Sequence, residues 1–165
     1  MKKLFLCCGI PGSGKTTWVK NQVTEHGGVH ISRDAIRFAT LSENDDYFAN
    51  ESIVYATFIS EIQNALNNDN GHQNVYADAT HLNEKSRRML LDKLNLSNVE
   101  EIILLHFDIK IETALERNAK RSGRALVPEK TIRSMNNNLS LPPENGKYSY
   151  KIWKINEKGE VLINE

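Results

Sequence analysis

An octapeptide near the start of the chain has the residue types and spacing of a phosphate-binding loop. Residues 9–16 read Gly-Ile-Pro-Gly-Ser-Gly-Lys-Thr, a full match to G-x-x-x-x-G-K-(S/T). Its glycines permit backbone angles that a Cβ forbids, so successive amide N–H groups can converge on a phosphate. Lys15 can reach the β- and γ-phosphates, and the Thr16 hydroxyl can be a ligand of Mg²⁺. The loop predicts a bound nucleotide, with ATP and Mg²⁺ as the expected pair.

The segments on either side of this loop predict a strand before it and a helix after it. Residues 3–8 form a short apolar run, and residues 16–23 read as the start of a helix. A strand, a glycine-rich loop and a helix in that order are the context that supports the motif. The positive end of the helix dipole adds to the attraction for an anion. The residues expected to contact the nucleotide here are Gly9, Gly12, Ser13, Gly14, Lys15, Thr16 and Thr17.

Charged residues directly follow the second predicted strand, residues 29–32. Asp34 and Arg37 are three residues apart, so they share one side of a helix. A carboxylate here can take a proton from an acceptor hydroxyl, and a neighbouring guanidinium can hold a phosphate of the acceptor. Arg33 adds a second guanidinium to this candidate acceptor site. The alternative is an ordinary Asp–Arg helix pair, which contributes roughly 0.3 kcal/mol.

A third predicted strand, residues 74–78, ends in the carboxylate of Asp78. P-loop proteins commonly hold Mg²⁺ with such an acidic residue, so Thr16 and Asp78 are the candidate metal ligands. The alternative is a strand-end carboxylate without a ligand. Thr80 and His81 place a hydroxyl and an imidazole at the same edge, and we expect both to line the acceptor site. The other histidines lack the spacing of a metal site.

A basic cluster in the second half of the chain has the features of a movable lid. Arg117, Arg121 and Arg124 recur at spacings of four and three, which predicts one helical face. A basic helix followed by a glycine-containing loop can close over the γ-phosphate and exclude water. An arginine in that position can accelerate related reactions by about 10³–10⁵-fold. The alternative is a solvated basic face.

The order of the predicted elements indicates an α/β domain with a central parallel sheet flanked by helices. Helices are predicted at residues 47–66, 83–94 and 111–121 and from Pro128, with a continuous apolar strand at 101–107. Alternating strands and helices imply right-handed crossovers, and ligands of such sheets lie at the carboxyl ends of the strands. Residues 148–155 and 161–163 predict a terminal hairpin. The apolar face predicted for the longest helix comprises Ile53, Val54, Phe58, Ile62, Ala65 and Leu66.

The length and cysteine content indicate one domain in a reducing compartment. The 165 residues predict a single domain over 1–165, with a core at 1–139 and an extension at 140–165. The adjacent Cys7 and Cys8 should point to opposite faces of their strand and form packed thiols, so we expect a cytoplasmic location. No run of 18 apolar residues occurs, which excludes a transmembrane helix and a membrane partner.

Charge is distributed unevenly along the chain although the net charge is zero. Residues 85–135 contain 11 Lys and Arg against 7 Asp and Glu. This basic excess could serve nucleotide phosphates, nucleic acid or only a solvated helical face. Charge alone therefore leaves the acceptor open.

Four stretches together resemble the kinase domain of phage-type polynucleotide kinases, P-loop enzymes that phosphorylate 5′-hydroxyl ends of nucleic acids. They are residues 9–18, Ser-Arg-Asp-Ala-Ile-Arg at 32–37, Asp-Ala-Thr-His-Leu-Asn at 78–83, and Arg-Asn-Ala-Lys-Arg-Ser-Gly-Arg-Ala-Leu-Val-Pro at 117–128. The second and fourth stretches are much more specific than the P-loop. In the phage-type pattern the third reads Ser-Asp-Thr-Asn, so the acidic residue lies one place earlier here. The chain contains no Asp-x-Asp-Gly-Thr phosphatase motif.

The resemblance implies a role for each matching residue. Lys15 and Thr16 hold the donor phosphates and Mg²⁺. Asp34 is the general base on the 5′-hydroxyl, and Arg37 contacts the phosphate on the 3′ side of the acceptor nucleoside. Arg121 reaches the transferring phosphoryl group from the lid.

The same resemblance assigns Arg117 and Arg124 to the lid or to the nucleotide base. It also implies a fold similar to nucleoside-monophosphate kinases. The expected reaction is Mg²⁺-dependent transfer of the γ-phosphoryl group of ATP to the 5′-hydroxyl end of a polynucleotide, with Lys85, Arg87 and Arg88 as a guide for the strand. Two alternatives remain: a kinase of a small metabolite, nucleoside or antibiotic, and a nucleotide-dependent switch or binding protein.

Overall fold

The computed structural model describes residues 1–69 and 71–163, and it contains a six-stranded sheet. Its strands are Lys2–Cys8 (β1), Val29–Ser32 (β2), Asn74–Asp78 (β3), Val99–Phe107 (β4), Lys151–Ile155 (β5) and Val161–Ile163 (β6). The spatial order is β2-β3-β1-β4-β5-β6. Strands β1 to β5 run parallel, and β6 pairs antiparallel with β5. The predicted α/β class and the terminal hairpin are confirmed.

Six α-helices and one 3₁₀ turn lie between the strands over the described residues. They are Lys15–His26 (α1), Arg33–Thr40 (α2), Glu51–Asn67 (α3), Glu84–Leu91 (α4), Ile111–Ala119 (α5) and Glu129–Asn138 (α6), with the 3₁₀ turn at Gly123–Ala125. Within these ranges, no helix is long and apolar enough to cross a membrane. The predicted helices exist, but α4 and α5 end two or three residues earlier than expected.

Strand β1 shows why the sheet forms the centre of the domain. Leu4, Leu6 and Cys8 pack with the apolar cluster on one face, while Phe5 and Cys7 pack on the other. A strand covered on both faces reads as a continuous apolar run, as β1 and β4 do. The prediction that the two cysteine side chains point to opposite faces is confirmed, and both are buried free thiols.

Helix α3 covers one face of the sheet, although its boundaries differ from those predicted. It begins at Glu51 rather than at residue 47. Five of the six predicted core residues are buried, but Ile53 is 54% exposed. Ile53 precedes the buried Val54 by one position, about 100° around the helix, and so faces solvent. The four residues before Glu51 belong instead to the connecting segment that reaches the acceptor side of the site.

Helix α4 begins where the sequence predicted. The Asn83 side chain accepts a hydrogen bond from the Ser86 backbone N–H at 2.9 Å, and the Ser86 hydroxyl lies 3.3 Å from the Asn83 N–H. This reciprocal arrangement satisfies two backbone donors at the helix start. This cap defines the start of α4 and therefore the path of the short segment that joins Asp78, at the end of β3, to the helix.

The C-terminal segment adds two strands to the edge next to β4. Strand β5 begins at Lys151, three residues later than predicted, and a turn leads to β6. Residues 164 and 165 of the predicted extension lie outside the described residues. The division into a core at 1–139 and an extension at 140–165 stays a prediction.

Candidate active site

The phosphate-binding loop lies between β1 and α1, as predicted, and its own backbone shapes it. Gly12 and Gly14 have φ angles of 82° and 92°, the left-handed region that favours glycine. A Cβ on Gly12 would lie 2.5 Å from the carbonyl oxygen of Ala114. The loop therefore needs glycine here both for its turn and for its close contact with α5.

Two side chains of the loop point to an anion site. The Lys15 Nζ donates to the carbonyl oxygens of Gly9 and Ile10, each at 2.9 Å. The Ser13 hydroxyl is buried and has no hydrogen-bond partner among the described residues. Burial lowers the pKa of Lys15, while the charges of Asp78 and Asp34 act in the opposite direction. A bound phosphate would satisfy the Ser13 hydroxyl and offset the burial of Lys15.

The two candidate metal ligands lie in direct contact. The exposed Thr16 hydroxyl donates to Asp78 Oδ2 at 2.8 Å. His30 Nε2 lies 2.8 Å from the same oxygen. Burial by itself raises the pKa of Asp78, but the hydrogen bond from His30 and the charge of Lys15 more than offset it, so the pKa lies below its usual value. Asp78 is therefore held as a carboxylate next to the loop.

This donor set fits Mg²⁺ in its usual protein setting. The described residues contain no group of three or more His, Cys, Asp or Glu that could enclose a metal ion. Mg²⁺ usually keeps several waters and binds through one or two carboxylates together with substrate phosphates. One carboxylate and one hydroxyl beside a phosphate loop satisfy that requirement. His30 was not predicted here, since its contact arises only when β2 pairs with β3.

The acceptor side consists of charged side chains from α2 and α3. Ser32 caps α2 by accepting a hydrogen bond from the Ala35 N–H, which places Asp34 and Arg37 on one side of the helix as predicted. Arg37 Nη1 donates to Asp34 Oδ1 at 2.5 Å. The Asp34 side chain is 60% exposed, whereas that of Arg37 is 6% exposed. Asp34 can thus meet an incoming hydroxyl, while Arg37 lies behind it.

Arg37 does not have the free guanidinium that the sequence predicted for an acceptor phosphate. Its Nη2 donates to both carboxylate oxygens of Glu51, at 2.8 and 2.9 Å. Burial lowers the pKa of Arg37, but the hydrogen bond with Glu51 outweighs it, and the pKa lies above its usual value. Arg33 also pairs with Glu51 and lies over the Tyr55 ring. Both arginines pair with Glu51 on α3, and Arg37, which also contacts Asp34, positions that carboxylate.

Tyr47 is a second residue of the acceptor side that the sequence did not reveal. Its hydroxyl donates to Asp34 Oδ1 at 2.7 Å and accepts from Arg37 Nη1 at 2.8 Å. Burial and the Asp34 charge raise the pKa of Tyr47, so the hydroxyl keeps its proton. The hydrogen bond shows that Asp34 accepts an alcohol-type donor in this geometry.

The three arginines of the predicted lid do not share one helical face. Helix α5 ends at Ala119, so it contains Arg117 but neither Arg121 nor Arg124. Its guanidinium donates to the Gly12 carbonyl at 3.5 Å and to the Glu157 carbonyl at 3.0 Å, next to the loop. Burial is the largest cause that lowers the pKa of Lys15, and the charge of Arg121 adds to it, so Arg121 lies within electrostatic range of the phosphate loop. Arg117 and Arg121 thus lie on the donor side, where they were predicted.

Arg124 contacts the acceptor side of the site, whereas the sequence prediction assigned it to the lid or to the nucleotide base. Its guanidinium carbon is 5.1 Å from the centroid of the Phe38 ring. Its Nη1 donates to the carbonyl oxygens of Leu41 and Ser42, at 3.4 and 3.5 Å. Arg124 therefore bridges the lid to the acceptor side rather than to the nucleotide.

Asn118 holds the lid loop in place. This buried side chain donates from Nδ2 to the Val127 carbonyl at 2.7 Å and accepts from the Val127 N–H at 3.0 Å. The two bonds close the loop between α5 and α6. The asparagine of the Arg-Asn-x-Lys-Arg stretch thus has a structural explanation that its position in the sequence did not reveal.

Two residues after β3 contact β1 or the phosphate loop, Thr80 through its backbone and His81 through its side chain, and the expectation that the Thr80 hydroxyl lines the acceptor site stays a prediction. The Thr80 carbonyl accepts a hydrogen bond from the Gly9 N–H at 3.1 Å. His81 is 6% exposed, and its Nδ1 lies 2.8 Å from the Cys7 carbonyl. Burial lowers the pKa of His81 to about 4. The prediction that His81 lines the acceptor site disagrees with this burial, because a neutral imidazole under β1 cannot reach a ligand.

One of the three α4 residues predicted to guide a nucleic-acid strand is buried. Lys85 and Arg88 are exposed, but Arg87 is fully buried. Its Nη1 donates to the His81 carbonyl at 3.0 Å, and Nη2 lies 3.6 Å from a carboxylate oxygen of Glu84. Arg87 is therefore part of the interior and cannot contact a nucleic-acid strand.

Two clefts border the site. One of about 490 Å³ lies between α1, β2, α2 and α3, and Thr16 and His30 are among its lining residues. The other, of about 650 Å³, lies where the chain leaves β4 and turns between β5 and β6, with Lys110 and Glu157 among its lining residues. The second cleft adjoins Arg117 through Glu157. Space is thus available on both sides of the phosphate loop.

Comparison with known proteins identifies the family. A model of the AAA domain family AAA_33 matches residues 4–142. A putative bifunctional polynucleotide kinase/RNA ligase of Autographa californica nuclear polyhedrosis virus is 32% identical over 143 residues, which cover 80% of this chain and 20% of the relative. The chain therefore spans about a fifth of the length of that relative.

Solved structures agree on the fold. A sugar kinase from Janibacter sp. HTCC2649 matches with a TM-score of 0.62 and 20% identity, covering 96% of this chain and 87% of that one. A fungal RNA kinase matches with a TM-score of 0.62 and 14% identity, covering 93% and 74%. The chain belongs to the AAA domain family AAA_33 and has the fold of these solved kinases.

Proposed function

We propose that this kinase transfers the γ-phosphoryl group of ATP to the 5′-hydroxyl end of a polynucleotide, with Mg²⁺ as cofactor. The observation that carries the proposal is the exposed Asp34 carboxylate, which accepts a hydrogen bond from the Tyr47 hydroxyl at 2.7 Å and whose charge acts to raise the pKa of Lys15 in the phosphate loop. The named relative and the RNA kinase structure support a nucleic-acid acceptor. A sugar kinase shares the fold, so the acceptor must be tested directly.

Each residue of the site has a separate role in the proposed reaction. Asp34 accepts the proton of the acceptor hydroxyl as its oxygen attacks the γ-phosphorus, and the bond to the β–γ bridging oxygen breaks. Lys15 and Arg121 stabilise the negative charge on the phosphoryl oxygens. Thr16 and Asp78 would hold Mg²⁺, which neutralises charge on the β- and γ-phosphates. Most of the rate gain comes from positioning and from fixed charges.

The test is transfer of labelled γ-phosphate from ATP to a panel of acceptors. The panel contains 5′-hydroxyl DNA and RNA oligonucleotides, a 3′-phosphorylated nucleoside and simple sugars. We expect labelled oligonucleotide. Label in sugars alone would replace the polynucleotide acceptor by a metabolite and keep the phosphotransfer chemistry.

Asp34→Ala tests the base. The variant should lose about 10²–10⁴-fold in kcat, the usual contribution of a general base, and still bind ATP. Asp69→Ala, which removes an exposed carboxylate just after α3, is the matched control. Equal transfer by Asp34→Ala and wild type would remove Asp34 from the mechanism. A protein that binds ATP and phosphorylates no acceptor would instead be a nucleotide-dependent switch.

A further inference from the structure

Three aromatic rings lie beside Asp34, on α2 and on the segment between α2 and α3. Tyr47 is edge-on to Phe48, with ring centroids 4.8 Å apart, and edge-on to Phe38 at 6.2 Å. Phe48 is 63% exposed, whereas Tyr47 and Phe38 are partly buried. We call Phe38, Tyr47 and Phe48 the aromatic cluster. Its open surface is the ring of Phe48.

Two guanidinium groups contact the same rings. The Arg37 guanidinium carbon is 4.2 Å from the Tyr47 centroid and 6.0 Å from the Phe48 centroid. Arg124 lies over Phe38 at 5.1 Å. A single exposed phenylalanine needs no explanation, but three rings held by two cations beside a catalytic base form an organised surface. Aromatic rings flanked by positive charge are what single-stranded nucleic acids bind, through base stacking and phosphate attraction.

The position of the cluster relative to Asp34 suits a nucleoside. The Tyr47 hydroxyl donates to Asp34 Oδ1 at 2.7 Å, so the aromatic cluster lies directly beside the carboxylate that would take the proton of the acceptor. In a nucleoside the 5′-hydroxyl and the nucleobase are attached to one sugar, so a hydroxyl delivered to Asp34 brings its base close to the neighbouring rings. A simple sugar has no π-face and would be recognised through hydrogen bonds to its hydroxyl groups instead.

We propose that the aromatic cluster stacks the terminal nucleobase of the acceptor, with Phe48 as the contacting ring. The proposal rests on the proposed function and names the feature of the acceptor that the site selects. Phe48 touches the base and not the reacting atoms, so it determines specificity. Its removal should raise KM for the acceptor more than it lowers kcat, because stacking acts on binding rather than on the chemical step.

The experiment compares Phe48→Ala, Phe48→Trp and wild type on two 5′-hydroxyl oligonucleotides. The two differ only in whether the terminal nucleotide carries its base or is abasic. Phe48→Ala should raise KM for the base-bearing oligonucleotide by about 5- to 100-fold, the range for loss of one base–aromatic stack. Phe48→Trp should retain the wild-type KM. Met89→Ala removes a side chain of comparable exposure from α4 and should change neither value.

The abasic oligonucleotide separates stacking from general damage. Wild type should already bind it weakly, and Phe48→Ala should add little further loss. A wild-type protein that treats both oligonucleotides alike, or a Phe48→Ala variant with an unchanged KM for the base-bearing one, overturns the stacking proposal while the proposed function stands. If wild type phosphorylates neither oligonucleotide, the proposed function itself fails, and the stacking proposal fails with it. Equal thermal unfolding of the variants shows that the fold is retained.

Discussion

The donor and acceptor sides of the site are built from different parts of the chain. On the donor side, backbone geometry dominates: two left-handed glycines shape the loop, and Lys15 bonds to carbonyls of that same loop. On the acceptor side, side chains from α2, α3 and their connecting segment hold Asp34 through Arg37, Glu51 and Tyr47. A phosphate can be bound by backbone amides alone, whereas recognition of one acceptor requires specific side chains. The acceptor side is therefore where we expect specificity to be encoded.

The lid joins the two sides. Arg117 contacts the phosphate loop at Gly12, while Arg124 contacts the acceptor segment at Leu41 and Ser42. Asn118 fixes the loop between them. We therefore propose that closure of the lid over one substrate would change contacts with the segment that holds the other.

Removal of Lys15 is expected to have the largest effect and to affect the donor side alone. Lys15→Ala should lower kcat by at least about 10³-fold, since it removes a fixed charge aimed at the transferring group. It should also weaken ATP binding, unlike Asp34→Ala. The measurement is labelled phosphate transfer together with the Kd for ATP. Lys130→Ala, which removes an exposed lysine from α6, is the control. Comparable activity of Lys15→Ala and the control would contradict the assignment of the donor side.

Acid should destabilise the structure beneath the donor side through His81. The pKa of buried His81 is about 4, below the ordinary value of 6.5, so the folded state favours the neutral imidazole. The unfolded chain binds the proton first, and stability is therefore complete above pH 6.5 and falls as the pH drops toward 4. The loss over that range should be up to about 3 kcal/mol, from 1.36 kcal/mol per pKa unit.

Urea unfolding between pH 7 and pH 4 measures this loss. His81→Asn, which cannot titrate, should give a flatter curve over the same range. His26→Asn replaces an exposed histidine at the end of α1 and should leave the wild-type slope. Identical slopes for His81→Asn and wild type would show that His81 does not titrate as a buried neutral group.

The sequence predicted most of the donor side because its information is local. The glycine spacing, Lys15 and Thr16 occupy one short segment, and Asp78 ends a strand that its apolar pattern identifies. Parallel strands then bring these segments to one edge of the sheet. What it missed here was His30, whose contact with Asp78 depends on the register of two paired strands.

The acceptor side and the lid were less predictable because their contacts cross irregular segments. Glu51 and Tyr47 reach Arg37 only through the path of the residues between α2 and α3, which carries no periodic pattern. The lid arginines followed a helical spacing, but the helix ends at Ala119, so Arg124 points elsewhere. A spacing rule holds only as long as the helix continues.

Substitution of Glu51 is expected to give the smallest loss of function or stability among these predictions. It is also the most specific test of the acceptor side. Glu51→Gln removes one of the two carboxylates that pair with buried Arg37, the other being Asp34, and loss of a partner from a buried ion pair is destabilising. Because the Glu51 side chain is 31% exposed, solvent reduces the penalty, and we expect a loss of about 2 kcal/mol. Transfer should slow as Asp34 loses its support, while the Kd for ATP should stay unchanged because the described contacts of Glu51 are with Arg33 and Arg37 and not with the phosphate loop.

Urea unfolding, transfer and ATP binding measured on the same preparation separate these effects. Glu144→Gln, which changes an exposed glutamate between α6 and β5, is the matched control. If Glu51→Gln leaves both stability and transfer unchanged, Arg37 is not held by α3 and is free for an acceptor phosphate, as the sequence had predicted. If instead it weakens ATP binding as much as transfer, the two sides are not independent, and the difference between a backbone-built donor side and a side-chain-built acceptor side does not hold.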